Sequence, residues 1–319
     1  MHKCPFFVMA HYAGYPEHDH YFVDAVEGIL AQSETAWHLV VVDDCSPRHE
    51  SRELLTHLAA RFSGKMTVLM SEENEGPGAS RNRGVAFAAE NGAPFVLFHD
   101  SDDLACQSRL ELTARAFAEP GVDFVYSNFR VIDEESQPVP YAEITPSLRE
   151  IIDVLNTDPP SGLGVEVLEK VGTQTGYATL TSTVAVRTPL AMANPFPKER
   201  VSEDLYAWYQ YFAAGERVVY LPEALATYRI LRAYPGSLTR RRLAESFYTE
   251  KARVDSTGFL RALDVAISRK VFDPARRVKV VQSFYKRLAV TMYAEGYNSL
   301  ADYLEHLAVK YDTPQILDR

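Results

Sequence analysis

Asp100-Ser101-Asp102-Asp103 places three carboxylates within four residues, directly after the apolar run Phe95-Val96-Leu97-Phe98 and His99. Carboxylates this close repel one another, and desolvating one without a partner is costly. A divalent cation removes the conflict, because Mg²⁺ and similar hard ions take one or two carboxylates and complete their shell with substrate phosphates. A second reading fits the same residues. Asp and Ser cap helices, and Arg109-Leu110-Glu111-Leu112 continues in a helical pattern.

Three further clusters have the same double character. In Val42-Asp43-Asp44-Cys45-Ser46 the carboxylates can accept from a nucleobase imide or a ribose hydroxyl; the alternative is a solvated turn capped by Ser46. In Asn74-Glu75-Gly76-Pro77-Gly78-Ala79-Ser80-Arg81-Asn82-Arg83-Gly84 the glycines allow close backbone approach, and the helix that follows favours an anion at its N-terminus. Arg81 can hold a diphosphate or tie down a strand-end aspartate. It stands where a dinucleotide fingerprint needs its third glycine, which argues against that fingerprint. Ser202-Glu203-Asp204 has the composition of a helix N-terminus, with serine at the cap and acids in the first turn.

The elements that must position these clusters alternate. Residues 4–10, 38–42, 65–70, 95–99 and 122–126 read as strands, and 20–32, 50–62, 78–91 and 110–117 as helices. The continuous run His38-Leu39-Val40-Val41-Val42 is the pattern of a parallel strand buried on both faces. A doubly wound α/β sheet follows, and such sheets bind ligands beyond the carboxyl ends of their strands, where Asp43-Asp44 and Asp100–Asp103 fall. Residues 133–165 read as a loop or lid with one short helix near 147–156, and 179–187 as a strand. Glu203–Ala214 reads as a helix with Leu205, Trp208, Tyr209 and Phe212 at helical spacing. Val218–Leu221 and Leu225–Tyr228 read as two short strands around Pro222, and the chain is helical from about 241 onward.

The 319 residues, 46% of them hydrophobic, suffice for a large core and one or two domains. A net charge of −10 disfavours a nucleic-acid partner. Cys4, Cys45 and Cys106 have neither metal-ligand spacing nor a disulfide framework, so a reducing cytoplasm is the expected location. Met1-His2-Lys3 leads into a strand-like run without the pattern of a secretory leader. No apolar run approaches the roughly 20 residues a membrane helix needs. Peripheral contact at the inner membrane face stays open through a basic helix.

The motifs also occur in a telling order: Ala10-His11-Tyr12, Ile29-Leu30-Ala31-Gln32-Ser33, Val41-Val42-Asp43-Asp44-x-Ser46, Asn74-x-Gly76-x-x-x-Ser80-Arg81-Asn82-x-Gly84, Asp100-Ser101-Asp102-Asp103, Ser202-Glu203-Asp204 and Tyr220-Leu221-Pro222-Glu223-x-Leu225-x-x-Tyr228-Arg229. From about residue 4 to 239 the chain resembles a family 2 glycosyltransferase of the GT-A fold. The resemblance implies a Rossmann-like, mostly parallel sheet flanked by helices over 1–239, the nucleotide-sugar-binding and catalytic domain. Residues 240–319 would be a C-terminal helical extension: an oligomerisation arm, a membrane-docking face or an acceptor wall.

It also implies roles. Asp44 would contact the base of a nucleoside diphosphate sugar, most simply UDP-linked, with Ala10 and Tyr12 lining the same pocket. Asp100 and Ser101 would lie near the ribose and donor sugar. Asp102 would bind a divalent metal, Mn²⁺ or Mg²⁺, that bridges the diphosphate; Asp103 is the weaker metal candidate and could cap the next helix. Arg81 would brace the acidic cluster or the sugar–phosphate region. Asp204 would be the general base of an inverting transfer, with Glu203 orienting it or the acceptor. The acceptor would be a carbohydrate, a lipid-linked sugar or a small molecule. A sugar nucleotidyltransferase is a second enzyme reading, but residues 10–20 lack the Lys or Arg such an enzyme uses to hold a triphosphate. A nucleotide-sugar-binding protein without turnover should lack Asp102 or Asp204, and both are present.

The chain departs from the family pattern in places. Ala10-His11-Tyr12-Ala13 replaces Thr-Tyr-Asn, Gly14–His20 is longer than usual, and Tyr234 stands where relatives carry a histidine. Arg229, Arg232 or Ser237 could then hold the diphosphate. His18-Asp19-His20 has no third ligand at a telling spacing for zinc and reads as a turn entering a helix. His99 reads as a packed strand-end residue, and Trp208, Tyr209, Tyr211 and Phe212 as core. Arg240-Arg241-Arg242 reads as a solvated helix start, with contact to a phospholipid-linked acceptor as the minority reading.

Overall fold

A computed structural model describes residues 4–231 and 246–311. Arg232, Tyr234, Ser237 and the triplet Arg240–Arg242 lie outside the described residues.

The N-terminal half alternates as its hydrophobic runs demand. The strands are β1 Phe6–His11, β2 His38–Asp43, β3 Met66–Met70 and β4 Phe95–Asp100, and the helices between them are α1 Glu17–Leu30, α2 His49–Arg61 and α3 Pro77–Glu90. The four strands pair in parallel in the order β3-β2-β1-β4. Successive side chains point to opposite faces, so Phe7, Met9, Leu39 and Val41 enter one core with α1 and α2, while Phe6, Val8, Val40 and Val42 enter the other. α3 lies close against β1. A Cβ on Gly84 would come within 2.5 Å of Val8 Cγ1, so only glycine fits there without a shift.

Register decides the site. Ala10 pairs with Val42 on one side and Asp100 on the other, and His11 pairs with Asp43. The ends of three strands therefore bring Ala10, Asp43-Asp44 and Asp100 to one edge of the sheet.

Beyond β4 the sheet becomes mixed. After it come β5 Leu104–Ala105, α4 Arg109–Phe117, β6 Val122–Ile132, α5 Pro146–Thr157, β7 Gly162–Leu163 and α6 Gly164–Lys170. Then follow β8 Ala185–Arg187, α7 Thr188–Ala193, α8 Glu203–Ala214 and β9 Arg217–Arg229. β8 inserts antiparallel between β4 and β6, β9 runs parallel to β6, and β5 and β7 pair antiparallel with β9.

Two expectations change here. The strand expected over 179–187 is confined to Ala185–Arg187, and Thr181–Thr183 forms a 3₁₀ turn. Thr183 Oγ1 donates to the Leu180 carbonyl at 2.7 Å, and Ser182 Oγ accepts from Asp100 N–H at 2.9 Å, so local hydroxyl bonds replace a ladder. The two strands expected around Pro222 are one strand, β9. Its register slips between Leu221 and Ala224, and the irregularity absorbs Pro222 and Glu223.

α9 Phe247–Ser268, α10 Arg277–Ala294 and α11 Asn298–Lys310 complete the described chain. α9 lies against α8: Gln210 Nε2 donates to the Gly258 carbonyl at 2.8 Å. Phe259 of α9 stacks on Phe284 of α10 with ring centroids 4.3 Å apart. One apolar cluster runs from Val8 of β1 through Trp208 to Leu304 of α11, so the C-terminal helices share the core of the sheet.

Candidate active site

A cleft of about 960 Å³ opens at the carboxyl edge of the sheet. Ten of the candidates from the sequence line it: Ala10, Tyr12, Asp44, Arg81, Asp100, Ser101, Asp102, Glu203, Asp204 and Arg229. The far wall comes from α5, from the loop around Tyr177, and from α9 and α10 through Lys251, Asp255, Phe284 and Arg287.

Asp43 and Asp44 divide their work. Asp43 is fully buried and accepts the Ser46 backbone N–H at 3.2 Å and the Ser46 hydroxyl at 2.5 Å, closing the turn. Asp44 accepts from the backbone N–H groups of Glu75 and Gly76, both at 2.9 Å, and so pins the glycine loop to the end of β2. Burial raises the Asp44 carboxyl above its usual pKa, against the pull of those two bonds. Ala10 is half-buried beside it, and Tyr12 is at the exposed mouth of the cleft.

Arg81 joins the two acidic segments. Its guanidinium donates to Asp100 Oδ1 at 2.8 Å and to Glu203 Oε1 at 2.7 Å, and lies 5.5 Å from the centre of the Phe196 ring. Burial works against its charge, but Asp100 and Glu203 outweigh burial and hold its pKa above the usual value. Glu203 stays raised by its own burial despite that partner.

Asp102 has its carboxyl pushed up to about 6, first by burial and next by the charge of Asp100. That carboxyl is a donor short of positive charge, and a divalent cation would supply it; the residues fit such an ion. Among the described residues no group of three or more His, Cys, Asp or Glu side chains is arranged to hold a metal, so a cation here would take part of its shell from elsewhere. Asp103 is different. It is fully buried, its Oδ1 accepts the Arg229 backbone N–H at 2.9 Å, and Ser108 rather than Asp103 occupies the N-cap of α4. It ties the acidic loop to β9.

Arg229 is held from several sides. Its Nε donates to the Asp102 carbonyl at 2.9 Å, one terminal nitrogen reaches the Asp133 carbonyl and Ser136 Oγ, and the other lies 3.4 Å from Asp24. The guanidinium stacks on Tyr21 at 4.4 Å. It braces the Asp102 loop from the wall of the cleft.

Asp204 sits in the first turn of α8 with both oxygens fixed. Oδ1 accepts its neighbour's N–H, from Leu205, at 2.7 Å, and Oδ2 accepts the Tyr177 hydroxyl. Ser202 is the N-cap in a left-handed conformation, but its hydroxyl makes no cap bond. It donates to Asp255 of α9, which also pairs with Lys251 at 2.8 Å.

His99 and His18 are held inside the fold. His99 is buried against Arg109, at 2.9 Å, and burial pushes its pKa well down. His18 accepts from Gly14 N–H, while Asp19 holds Arg48 and Ser51 of the next helix, so Gly14–His20 is largely the first turn of α1. Sequence reasoning missed Tyr177, Lys251, Asp255 and Arg287. None belongs to a motif, and the topology alone brings them to the cleft.

The family model described as Glycosyl transferase family 2 matches residues 15–186, more than half of the chain. The Bacillus subtilis (strain 168) protein named "Putative teichuronic acid biosynthesis glycosyltransferase TuaG" is 25% identical over 211 residues, covering 66% of this chain and 74% of TuaG. The Escherichia coli UDP-Glc:alpha-D-GlcNAc-diphosphoundecaprenol beta-1,3-glucosyltransferase WfgD is 25% identical over 118 residues, 37% of this chain and 44% of WfgD. Among solved structures, S. aureus TarS 1-349 in complex with UDP-GlcNAc has a TM-score of 0.57 at 17% identity, covering 98% of this chain and 93% of that one. The mannosyltransferase PcManGT from Pyrobaculum calidifontis, in complex with GDP-Man and Mn²⁺, has a TM-score of 0.55 at 12% identity, with 96% and 86% covered. At these identities the structural likeness speaks for the fold, which is GT-A. The chain belongs to glycosyl transferase family 2 and is a glycosyltransferase.

Proposed function

We propose that the chain transfers a sugar, with inversion, from a UDP-linked donor to an acceptor hydroxyl, with Asp204 as general base and a divalent cation, Mn²⁺ or Mg²⁺, at Asp102. The observation that carries the reading is the Arg81 bridge. It draws Asp100, at the end of β4, and Glu203, beside Asp204, into one charge network on one cleft.

The chemistry follows from the placement. The acceptor hydroxyl gives its proton to the Asp204 carboxylate as its oxygen bonds to the anomeric carbon. The bond from that carbon to the diphosphate breaks on the opposite face, and the diphosphate leaves with the electron pair. Asp204, with both oxygens held, meets the hydroxyl in a fixed orientation. Asp44 and the backbone of the Glu75-Gly76 turn form the nucleoside end, with Ala10 and Tyr12 beside them. Asp100 and Ser101 face the ribose and donor sugar. Asp102 would hold the cation, which would supply positive charge to the leaving diphosphate. Arg81 is spent inside the protein on Asp100 and Glu203.

UDP is favoured because UDP-GlcNAc is the ligand named with TarS and UDP-Glc the donor named for WfgD; GDP-Man and Mn²⁺ are those named with PcManGT. The acceptor is a carbohydrate or a lipid-linked sugar of polysaccharide synthesis, the setting named for TuaG and WfgD. No helix among the described residues is long and apolar enough to cross a membrane; a lipid-linked acceptor would be met at a membrane surface. Residues 1–239 would form the catalytic domain and 240–319 the wall that completes its cleft.

Melting of the purified protein against UDP, GDP and their sugars, each with and without Mn²⁺, tests the reading. A ligand that binds the native state raises the melting temperature. A Mn²⁺-dependent rise with the UDP series is expected. A rise with the GDP series alone would move the donor to GDP, and no rise with any would contradict the assignment of the cleft.

A further inference from the structure

Tyr177 is the one side chain whose hydroxyl bonds the Asp204 carboxylate among the described residues. Its own placement is not local. It follows a π-helical turn, Val171–Thr175, and Gly176 at φ 71°. Arg287 of α10 reaches across and clamps that turn: Nε donates to the Gln174 carbonyl at 2.8 Å and one terminal nitrogen to the Thr175 carbonyl at 3.0 Å. The same guanidinium pairs with Glu150 of α5, and its other terminal nitrogen donates to Thr291 Oγ1 at 2.8 Å. Gly176 leaves room for the clamp. A Cβ there would stand 2.4 Å from the Arg287 terminal nitrogen, and the positive φ itself favours glycine.

We propose that Tyr177 is a positioning residue for the base, and that Arg287 of the C-terminal helices sets it through the 174–176 turn. This gives the helices beyond the family motifs a role in the reaction, and it rests on the reading of Asp204 as the base. Leu205 N–H and the Tyr177 hydroxyl hold one carboxylate oxygen each, so the carboxylate cannot rotate away from the acceptor. The π turn ends the helical segment begun by α6 and hands the chain through Gly176 to Tyr177. The groups facing Asp204 are Tyr177, Glu203 of α8, Arg81 of α3, and Asp255 of α9, with Lys251 held by Asp255 and 5.7 Å from the Tyr177 ring. Of these only Tyr177 donates a side-chain hydrogen bond to the carboxylate.

The test is the release of UDP from UDP-GlcNAc and UDP-glucose, with water as acceptor, by the full chain and four variants: Tyr177→Phe, Arg287→Ala, the double variant, and Asp204→Asn. Tyr177→Phe keeps the ring and removes the hydroxyl. It is expected to lower kcat at least about tenfold, with KM for the UDP-sugar and the Mn²⁺-dependent melting shift on UDP unchanged. Arg287→Ala is expected to do the same, and the double variant to lose no more than the worse single one, because both act on one oxygen. Unchanged kcat in Tyr177→Phe, or a fall in kcat that comes only with loss of the melting shift, while Asp204→Asn abolishes release, would overturn the inference and leave the base in place. Additive losses in the double variant would overturn the path through Arg287. Full activity in Asp204→Asn would overturn both readings together.

Discussion

Arg81 carries one charge between two carboxylates, Asp100 and Glu203, and all three are wholly or partly buried. Removing it leaves both without a partner, and breaking such a buried set costs about 3–5 kcal/mol. Arg81→Met is expected to lose stability in that range by urea unfolding, with Arg81→Lys recovering part of it; a loss under about 1 kcal/mol would mean that solvent or rearrangement satisfies the pair. Asp102 gives the opposite sign. Its folded pKa, raised to about 6, lies above the unfolded value, so its contribution to stability is present at acid pH and lost as pH rises through about 6. Asp102→Asn should therefore melt higher than the parent at pH 7.5 in the absence of metal, and the gain should vanish on acidification to pH 4. The same variant should lose the Mn²⁺-dependent shift seen with UDP, while in the parent that shift should shrink below about pH 6 as the carboxyl protonates. A metal-free Asp102→Asn protein that melts lower at pH 7.5 would contradict the electrostatic reading. Arg229 shows the limit of motif reading at this scale. A family position says where a side chain starts, and the partners that consume its nitrogens, Asp24, Asp133 and Ser136, lie in segments no motif connects to it.

Most strands and helices of residues 4–126 are legible because β1, β2 and β4 are built on continuous apolar runs and each helix keeps its stripe, though β6 runs on to Ile132, past the expected 122–126. β2, α2 and α8 fall within a residue or so of where the pattern puts them. The segment 179–187 misleads because Thr and Ser at alternate positions mimic a strand while their hydroxyls close turns. β9 misleads in the other direction, since Pro222 looks like a break and is absorbed as an irregularity. β8, only three residues long, turns a parallel sheet into a mixed one, and nothing in its composition announces the antiparallel insertion. Gly84 marks the closest approach of α3 to β1. Gly84→Ala should overpack that contact and cost about 1–3 kcal/mol by urea unfolding, with the donor loop at the start of α3 displaced. A neutral Gly84→Ala would show that α3 can move off the sheet freely.

The whole molecule puts the residues proposed to face the nucleotide on the sheet edge and closes the cleft with helices that no family motif describes. The two are built on one apolar cluster, from Val8 through Trp208 and Phe259 to Leu304. Thermal unfolding followed by Trp fluorescence, which reports Trp37 and Trp208, and by hydrogen exchange in α10 should give a single midpoint; separate midpoints would make the C-terminal helices an independent body. The candidate residues of the donor half could be named from sequence because their motifs end strands of one sheet. The opposite wall could not, because Lys251 and Arg287 reach Tyr177 and the turn before it, and so the partner of Asp204, only once α9 and α10 have packed. The decisive measurement is the rate of UDP release from a UDP-sugar by Asp204→Asn beside the parent, with Mn²⁺–UDP binding followed by melting in both. A loss of about 10²–10⁴-fold in rate with binding intact is expected for the general base. Rate and binding lost together, or a rate that survives, would contradict the assignment of Asp204 and with it the proposed direction of attack across the cleft.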